Sequence, residues 1–253
     1  MPHTLSAKEL ERYDRQILID EIGIKGQEKL KKARILICGV GGLGSPVAIY
    51  LAAAGVGTLV LMDHDRVALS NLNRQILHHQ CDIGRFKVDS AKEKLLELNP
   101  DVMVHLCRVS MNRENASDLI SGHDLIIDAL DNLETRYILN RAALDLGIPF
   151  IHGAVNGFEG RLFTVIPGQS TCLRCLYRGP LAKTPKFPVI GVTPAIIGAL
   201  QATEAIKYIT GIGALLTDRL LVYDGLNLRW RELKLRKNPG CDHCSGLRER
   251  NPS

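Results

Sequence analysis

A glycine-rich turn between an apolar strand and a helix constrains this chain more than any other feature. The strand is Ile35 to Cys38, the turn is residues 39–45 (GVGGLGS), and a helix of small residues is predicted to follow and end near Ala54. Glycines let a strand turn tightly into a helix and let the backbone approach a ligand closely. The helix then presents unpaired N–H groups to a phosphate, so Gly41 and Gly42 are candidate nucleotide-binding residues.

The segment after this helix supports nucleotide binding. A second apolar strand, Leu59 to Met62, ends at Asp63, roughly 20 residues past the glycines, where an acidic residue can hold a ribose hydroxyl. Taken alone, the pattern is typical of a dinucleotide-dependent oxidoreductase. The structural alternative is a tight turn in which Asp63 acts only as a cap.

Composition limits the class of protein. The chain has 253 residues, of which 45% are hydrophobic and 23% charged, and this fits one large α/β domain spanning 1–253. No apolar run has membrane-spanning length and the start lacks a signal-peptide pattern, so we expect a cytoplasmic protein with no membrane partner. The net charge of +5 is spread along the chain, which suits an acidic protein partner better than a nucleic acid.

Alternating strands and helices predict the fold class: an α/β protein with a doubly wound, mainly parallel, Rossmann-like sheet. We expect helical structure at 6–32, where Ser6 and Glu9 can form a capping box and where Gly23 and Gly26 interrupt the helix. Further helices are expected at 84–98, 133–146 and 195–209, and further strands at 102–106, 125–127 and 149–152. The pattern changes after residue 153, where a mixed or antiparallel extension with a hairpin at 220–235 is expected. We therefore divide the domain into a nucleotide-binding part, 6–155, and a second part, 156–253. Residues 179–188, rich in proline and lysine, are predicted to form a mobile loop.

The loop after the second strand carries groups that hydride transfer does not need. Arg74 offers a fixed fork of donors suited to phosphate, and Lys87 is a point cation that could reach the same phosphates. Asn71 and Asn73 can bond ribose or phosphate oxygens, and Ser70 is assigned with them to nucleotide contacts. The charged side chains of Arg74 and Lys87 could instead be solvated surface groups.

Asp128 and Asp131 lie at the carboxyl end of a predicted parallel strand. Doubly wound folds bind their ligands at the carboxyl ends of these strands. A carboxylate that faces a bound polyphosphate is a suitable magnesium ligand. The alternative is that Asp131 and Asn132 cap the next helix, and both roles are compatible.

Two cysteine pairs share the Cys-x-x-Cys spacing: Cys172 and Cys175, Cys241 and Cys244. Two such knuckles supply four thiolates for a tetrahedral zinc ion, and four ligands leave no open position, so the metal would be structural. The fold must bring the pairs together across the intervening residues. The three other cysteines are expected to be buried bystanders: Cys38, Cys81 and Cys107. His78 and His79 are expected at the surface.

Taken together, these motifs resemble the ThiF/MoeB/HesA family of adenylyltransferases, relatives of ubiquitin-activating enzymes, and are closest to the MoeB type. The resemblance covers nearly the whole chain and includes both cysteine pairs. The other matching motifs, in order, are Arg12-Tyr13-x-Arg15-Gln16, Gly39-x-Gly41-Gly42-Leu43-Gly44-Ser45, Asp63-x-Asp65, Leu69-Ser70-Asn71-Leu72-x-Arg74-Gln75, Gly84-x-x-Lys87, Asp131-Asn132-x-x-x-Arg136 and Phe158-Glu159-Gly160.

The resemblance implies ATP and Mg²⁺ as cofactors, with structural Zn²⁺. It implies activation of the C-terminal carboxylate of a small ubiquitin-fold carrier protein ending in Gly-Gly, through an acyl-adenylate and with release of pyrophosphate. By similarity Asp63 holds the ribose, Arg74 and Lys87 stabilise phosphate charge, and Asp131 positions magnesium. Arg15 would reach the nucleotide from the other subunit of a homodimer.

The chain departs from close relatives at Asn73 and Arg161, where glutamine is usual and where a change could alter nucleotide or partner contacts. It departs from ThiF-like members in a more important respect. Those members carry a cysteine shortly before the segment that is Gly191-Val192 here, whereas this chain has Phe187 near that place and no cysteine from Gly179 to Thr193. We therefore expect an enzyme that stops at the adenylate. The carrier could belong to molybdopterin synthesis, thiamine synthesis, tRNA thiolation or cysteine and peptide metabolism. A dinucleotide-dependent oxidoreductase and a non-catalytic, zinc-stabilised nucleotide-binding module are the alternative functions.

Overall fold

The computed structural model describes residues 4–178 and 187–246. Most of the loop predicted at 179–188 lies outside these residues. The helices are α1 (Ala7–Arg12), α2 (Asp14–Ile17), α3 (Gly23–Lys32), α4 (Gly44–Ala53), α5 (Lys87–Leu98), α6 (Ala116–Ile120), α7 (Leu133–Leu146), α8 (Leu173–Leu176) and α9 (Val192–Thr210). The strands are β1 (Arg34–Cys38), β2 (Thr58–Met62), β3 (Met103–Cys107), β4 (Leu125–Asp128), β5 (Phe150–Asn156), β6 (Glu159–Val165), β7 (Arg219–Asp224) and β8 (Arg229–Lys234).

All eight strands form one sheet, in the order β3-β2-β1-β4-β5-β6-β7-β8. The first five strands in that order are mutually parallel. Strands β6, β7 and β8 continue the sheet in antiparallel pairs. The predicted fold class is therefore confirmed, including the antiparallel extension and the C-terminal hairpin. The chain runs outward from β1 in one direction to β3 and in the other from β4, so the order reverses between β1 and β4.

Each face of the sheet carries its own core. Helices α3, α4, α5 and α9 cover one face, where their apolar side chains pack against alternate residues of the strands, such as Ile35, Leu59 and Ile127. Helices α6 and α7 cover the other face and pack against the intervening residues, such as Leu36 and Ile126. Because both faces are buried, the parallel strands read as continuous apolar runs.

Three predicted helices differ in extent from the observed ones, and one of them is the helix predicted over 195–209, which runs from Val192 to Thr210. Ser6 and Glu9 form the predicted capping box. The segment predicted as helical over 6–32 contains three helices, because Tyr13 separates α1 from α2 and the chain is not helical between Ile17 and Gly23, where φ is +53°. The helix predicted over 84–98 begins only at Lys87, since the residue before it is extended.

The sheet runs without a break through the place where the two parts of the chain were expected to meet. Strand β5 crosses residue 153 and pairs with β6 along its whole length. Helix α9, from the second part, packs against β5 and against α4 from the first. In the described ranges no helix combines the length and apolarity needed to cross a bilayer.

Candidate functional site

A cavity of about 930 Å³ opens at the carboxyl ends of the parallel strands, beside the point where the strand order reverses between β1 and β4. Ligands of doubly wound sheets bind in this crevice. The cavity brings together predicted site residues from five separate places in the sequence: Gly41, Gly42, Asp63, Arg74, Lys87, Asp131 and Asn132.

The glycine turn holds its shape because side chains have no room there. Gly39 has φ +96°, and a Cβ on it would lie 2.6 Å from the Ala129 carbonyl oxygen. A Cβ on Gly44 would lie 1.9 Å from the Gly39 carbonyl oxygen. The turn therefore packs backbone against backbone between β1 and β4, which leaves its outer side, with Gly41 and Gly42, on the cavity.

The Asp63 carboxylate ties the end of β2 to this turn. One oxygen accepts a hydrogen bond from the Val40 N–H at 2.8 Å, and the other accepts from the Asp65 N–H at 2.9 Å. The side chain is 9% exposed and lines the cavity. Asp63 therefore has the capping role of the structural alternative and also the position of the ribose-binding residue.

Lys87, the first residue of α5, lies beside these carboxylates. Its ammonium is 2.8 Å from the nearest Asp65 oxygen and 4.0 Å from Asp63 Oδ2, and its side chain is 6% exposed. Burial acts to raise the pKa of Asp65, but the hydrogen bond and charge of Lys87 outweigh it and hold that pKa below its ordinary value. A fixed cation thus lies at the end of the cavity beside the glycine turn, which we call its nucleotide end.

Of the other loop candidates, only Arg74 lines the cavity. Its guanidinium donates to the Ser70 carbonyl oxygen and to Asn73 Oδ1, each at 2.9 Å. Asn71 accepts from the Ala68 N–H and so caps a short 3₁₀ turn. Ser70, Asn71 and Asn73 shape the loop and orient Arg74 in this structure.

The two candidate roles at the start of α7 are divided between neighbouring residues. Asn132 caps the helix and accepts a hydrogen bond from the Thr135 N–H at 2.9 Å. Asp131 is exposed and lines the cavity. Asp128, by contrast, is fully buried beneath the site, where its carboxylate lies 2.7 Å from the His152 ring.

Arg15 lies on α2, is exposed, and is absent from the cavity wall. Three exposed apolar side chains follow it in the sequence: Leu18 is 65% exposed, Ile19 46% and Ile24 39%. Within one chain, Arg15 therefore does not join the other predicted site residues.

The two cysteine pairs come together as predicted. The sulfur atoms of Cys172, Cys175, Cys241 and Cys244 lie within 4.8 Å of one another. The separation is 3.8 Å between Cys172 and Cys175, 3.7 Å between Cys172 and Cys241, and 3.5 Å between Cys175 and Cys244. Tetrahedral coordination with Zn–S bonds of about 2.3 Å requires sulfurs about 3.8 Å apart. Burial raises the pKa of the Cys172 and Cys244 thiols, so a cation is needed to hold them as thiolates. The donor set and its spacing fit zinc.

Two predictions about solvent exposure were wrong, those for His78 and Cys81. His78 is buried, with one ring nitrogen 2.9 Å from Ser90 Oγ and the other 3.0 Å from the Val40 carbonyl oxygen, so it supports the glycine turn from below. Cys81, predicted to be buried, is exposed, because the neighbouring Asp82 turns inward instead and accepts from Lys94 at 2.6 Å.

Sequence reasoning missed other residues of the site. Gln75 is buried against the cavity, and its side-chain oxygen has no hydrogen-bond partner among the described residues. Tyr177 lines the far end of the cavity. His152 lies fully buried behind it. Only the position of Gln75 next to Arg74 could have drawn attention from the sequence, since Tyr177, which follows α8, and His152, on β5, become neighbours through tertiary packing.

The fold and the cavity define the class: a doubly wound α/β protein with a cavity at the reversal of its strand order, where proteins of this class bind their ligands. The model of the ThiF family matches residues 13–243. The chain belongs to the ThiF family, as the motifs predicted.

Named relatives lie within the same family. The chain is 41% identical to the SAMP-activating enzyme E1 of Haloferax volcanii, over 96% of this chain and 92% of the relative. It is also 41% identical to the sulfur carrier protein adenylyltransferase of Thermus thermophilus, over 94% of this chain and 91% of the relative. Among solved structures, E. coli MccB superimposes with a TM-score of 0.85 at 22% identity, covering 92% of this chain and 74% of MccB, which shows the shared fold.

Replacing Lys87 by methionine keeps the aliphatic stem and removes the charge. We expect the pKa of Asp65 to rise toward its ordinary value in a ¹³C NMR titration of the nucleotide-free protein. Because that pKa is depressed in the folded state, the ion pair contributes stability only where the carboxylate is ionised. The variant should lose free energy of unfolding at neutral pH, and the deficit should shrink as the pH falls through the acidic range.

Lys92→Met, on the same helix, is the control and should leave the pKa of Asp65 unchanged. An equal pKa for Asp65 in the wild type and in Lys87→Met would show that the ion pair does not set it.

Proposed function

We propose that this protein uses ATP to adenylate the C-terminal glycine carboxylate of a small ubiquitin-fold carrier protein and releases pyrophosphate. One observation carries the proposal: two carboxylates and two cations line a single cavity, namely Asp63, Asp131, Lys87 and Arg74. Relatives named as a sulfur carrier protein adenylyltransferase and a SAMP-activating enzyme support the same class of reaction.

The charges of the site suit attack on a phosphate better than hydride transfer. In adenylation a carboxylate attacks the α-phosphorus, a new C–O–P linkage forms, and the bond to the β-phosphate oxygen breaks as pyrophosphate leaves. Both reactants are anions, so the site must neutralise them and hold them in line. Lys87 and Arg74 supply fixed positive charge, whereas hydride transfer to a nicotinamide would not call for it. A non-catalytic nucleotide-binding module could hold phosphates with the same two cations, and it would differ from the enzyme in showing no pyrophosphate exchange.

Each candidate residue has a role in this proposal. Asp63 binds the ribose hydroxyls, and Gly41 and Gly42 let the phosphates approach the start of α4. Arg74, with Lys87, stabilises phosphate charge. The three loop residues Ser70, Asn71 and Asn73 orient that arginine and supply polar contacts to the nucleotide.

Asp131 is the proposed magnesium ligand. Its neighbour Asn132 is committed to the helix cap, so the exposed carboxylate of Asp131 remains directed at the cavity. Bound magnesium would neutralise polyphosphate charge and assist the departure of pyrophosphate.

The two parts of the chain would divide the work. Residues 6–155 supply the nucleotide end of the cavity, and 156–253 supply the far wall and the cysteine cluster, where the carrier would dock. The pathway served depends on that carrier: molybdopterin, thiamine, tRNA thiolation, or cysteine and peptide metabolism.

A homodimer would complete the site. Arg15 is exposed and lies off the cavity wall of its own chain, so it could reach a nucleotide only in a second copy. The exposed Leu18, Ile19 and Ile24 offer an apolar surface for that copy to cover.

Structural zinc and a reducing compartment fit together. Four converging cysteines would bind Zn²⁺ as thiolates, which persist in the reducing cytoplasm where we place the protein. All seven cysteines are free in the structure.

The proposed reaction ends at the adenylate. Among the described residues that line the cavity there is no cysteine, and the sequence from Gly179 to Thr193 has none. A thioester with the carrier would need a thiolate near the acyl carbon, which neither segment supplies.

The first test is ATP–pyrophosphate exchange across a panel of purified ubiquitin-fold proteins that end in Gly-Gly. We expect exchange with at least one of them, and a loss of about 100-fold in Asp131→Ala because a ligand of the magnesium ion that would neutralise the phosphates is removed. Asp118→Ala removes an exposed acid on α6 and should retain exchange. ATP with magnesium, and not NAD, should raise the melting temperature.

Exchange by Asp131→Ala at the wild-type rate would remove the magnesium assignment. Stabilisation by NAD, with no exchange for any carrier, would instead favour the oxidoreductase.

The second test concerns zinc. We expect about one zinc per chain by atomic spectroscopy, and Cys172→Ser should lower both the zinc content and the melting temperature, since three ligands and a hydroxyl bind zinc less tightly. Cys81→Ser, which changes an exposed cysteine outside the cluster, should alter neither. Full zinc content in Cys172→Ser would contradict the assignment.

The third test asks whether a covalent intermediate follows the adenylate. After incubation with ATP, magnesium and a carrier that supports exchange, a non-reducing gel should show no carrier–enzyme adduct. A thiol-sensitive adduct would show that one of the seven cysteines takes the acyl group.

A further inference from the structure

A chain of buried polar groups runs from β4 to the far end of the cavity. Asp128 and His152 are both fully buried, and the carboxylate oxygen Oδ2 of Asp128 lies 2.7 Å from His152 Nδ1. The other ring nitrogen of His152, Nε2, lies 3.4 Å from the Tyr177 hydroxyl. Tyr177 lines the cavity, so the chain links the sheet interior to the site.

The protonation states decide which group donates in each hydrogen bond of this series. Burial acts to raise the pKa of Asp128, but the Arg136 charge and the His152 hydrogen bond outweigh it, and the pKa is lowered. Burial lowers the pKa of His152, so its ring is neutral and donates from Nδ1 to the carboxylate. The lone pair on Nε2 then accepts a hydrogen bond from the Tyr177 hydroxyl, which leaves the lone pairs of the phenol oxygen for another donor.

Arg161 continues the chain at the surface. Burial acts to lower the pKa of the Arg161 guanidinium, but the nearby Tyr177 hydroxyl and the Glu159 carboxylate outweigh it and raise that pKa. Glu159 also holds the guanidinium, with N–O separations of 2.8 and 2.7 Å. Its side chain is 41% exposed. Since only two of its five donors face Glu159, others remain for Tyr177 and for a ligand.

Strand pairing places Arg161 beside the cavity wall. It lies opposite Ala154, and Glu159 lies opposite Asn156, across the β5–β6 ladder. Ala154 and Asn156 line the cavity. Directly opposed residues face the same side of a sheet, so Arg161 extends this wall by one strand, at the end away from the glycine turn.

Tyr177 itself is held from behind. Its carbonyl oxygen accepts from the Tyr137 hydroxyl at 2.7 Å, and it follows the Cys172–Cys175 knuckle by two residues. Tyr177 is therefore held from three directions: by the metal-binding segment, by α7 and by the buried His152.

We propose that Arg161 is a specificity-determining residue that binds the backbone carbonyls of the acceptor's extended C-terminal segment, and that Tyr177, His152 and Asp128 are positioning residues that aim it. This inference rests on the adenylation proposed above. A segment ending in two glycines offers no side chains near its reacting end, so backbone groups are the handles by which it can be recognised. The charged guanidinium provides strong, directional donors for those carbonyls.

The test is ATP–pyrophosphate exchange with a carrier that the wild-type enzyme activates, analysed for separate KM values. Arg161→Gln should raise the KM for the carrier about tenfold, the effect of losing one charged hydrogen bond, and change the KM for ATP less than about twofold. Tyr177→Phe keeps the ring and removes the hydroxyl, and should raise the carrier KM about threefold. The double variant should be no worse than Arg161→Gln alone, because Tyr177 acts through Arg161.

Tyr208→Phe, on α9 away from the cavity wall, is the control for loss of a tyrosine hydroxyl and should leave both KM values unchanged. Unchanged carrier KM in Arg161→Gln, or equal increases in the KM values for ATP and carrier, would overturn this inference while the proposed function stands. Absence of exchange by the wild type with every carrier would overturn both.

Discussion

The architecture depends on a steric constraint at the reversal of strand order. At Gly39 and Gly44 the backbone passes so close to other backbone that a Cβ would collide with a carbonyl oxygen. This close packing lets the first turn of α4 start directly above the sheet, and Asp63 fastens the end of β2 to the same turn through the Val40 N–H. The nucleotide end of the cavity is thus built mainly from backbone, which leaves side chains free for charge.

The charges around that turn are held before any ligand arrives. Lys87 is nearly buried and paired with Asp65, and Arg74 is oriented by the carbonyl of Ser70. Fixed cations of this kind need little reorganisation when phosphate charge develops, and that is the main electrostatic requirement of adenylate formation. The far end of the cavity is built differently, from a buried hydrogen-bond chain that begins at Asp128.

Much of the fold and of the candidate site could be predicted because the signals are local. The Ser6 capping box, the glycine turn and the Cys-x-x-Cys pairs each lie within a few residues of sequence, and short spacings fix geometry directly. The failures involve contacts between distant segments. His78 is buried because Ser90 and Val40 flank its ring, and neither partner is evident from the residues next to it in sequence.

The sequence by itself determined that the chain forms a doubly wound sheet, that its first crossover handles a nucleotide, and that four cysteines converge. Only the tertiary structure decided that Asp131 faces the cavity while Asp128 is buried, since both follow the same strand and only packing against His152 separates them. It also decided that Arg15 stands apart from the site in its own chain. The physical reason is that periodicity and spacing encode local geometry, whereas strand order and helix packing set which distant side chains share one cavity.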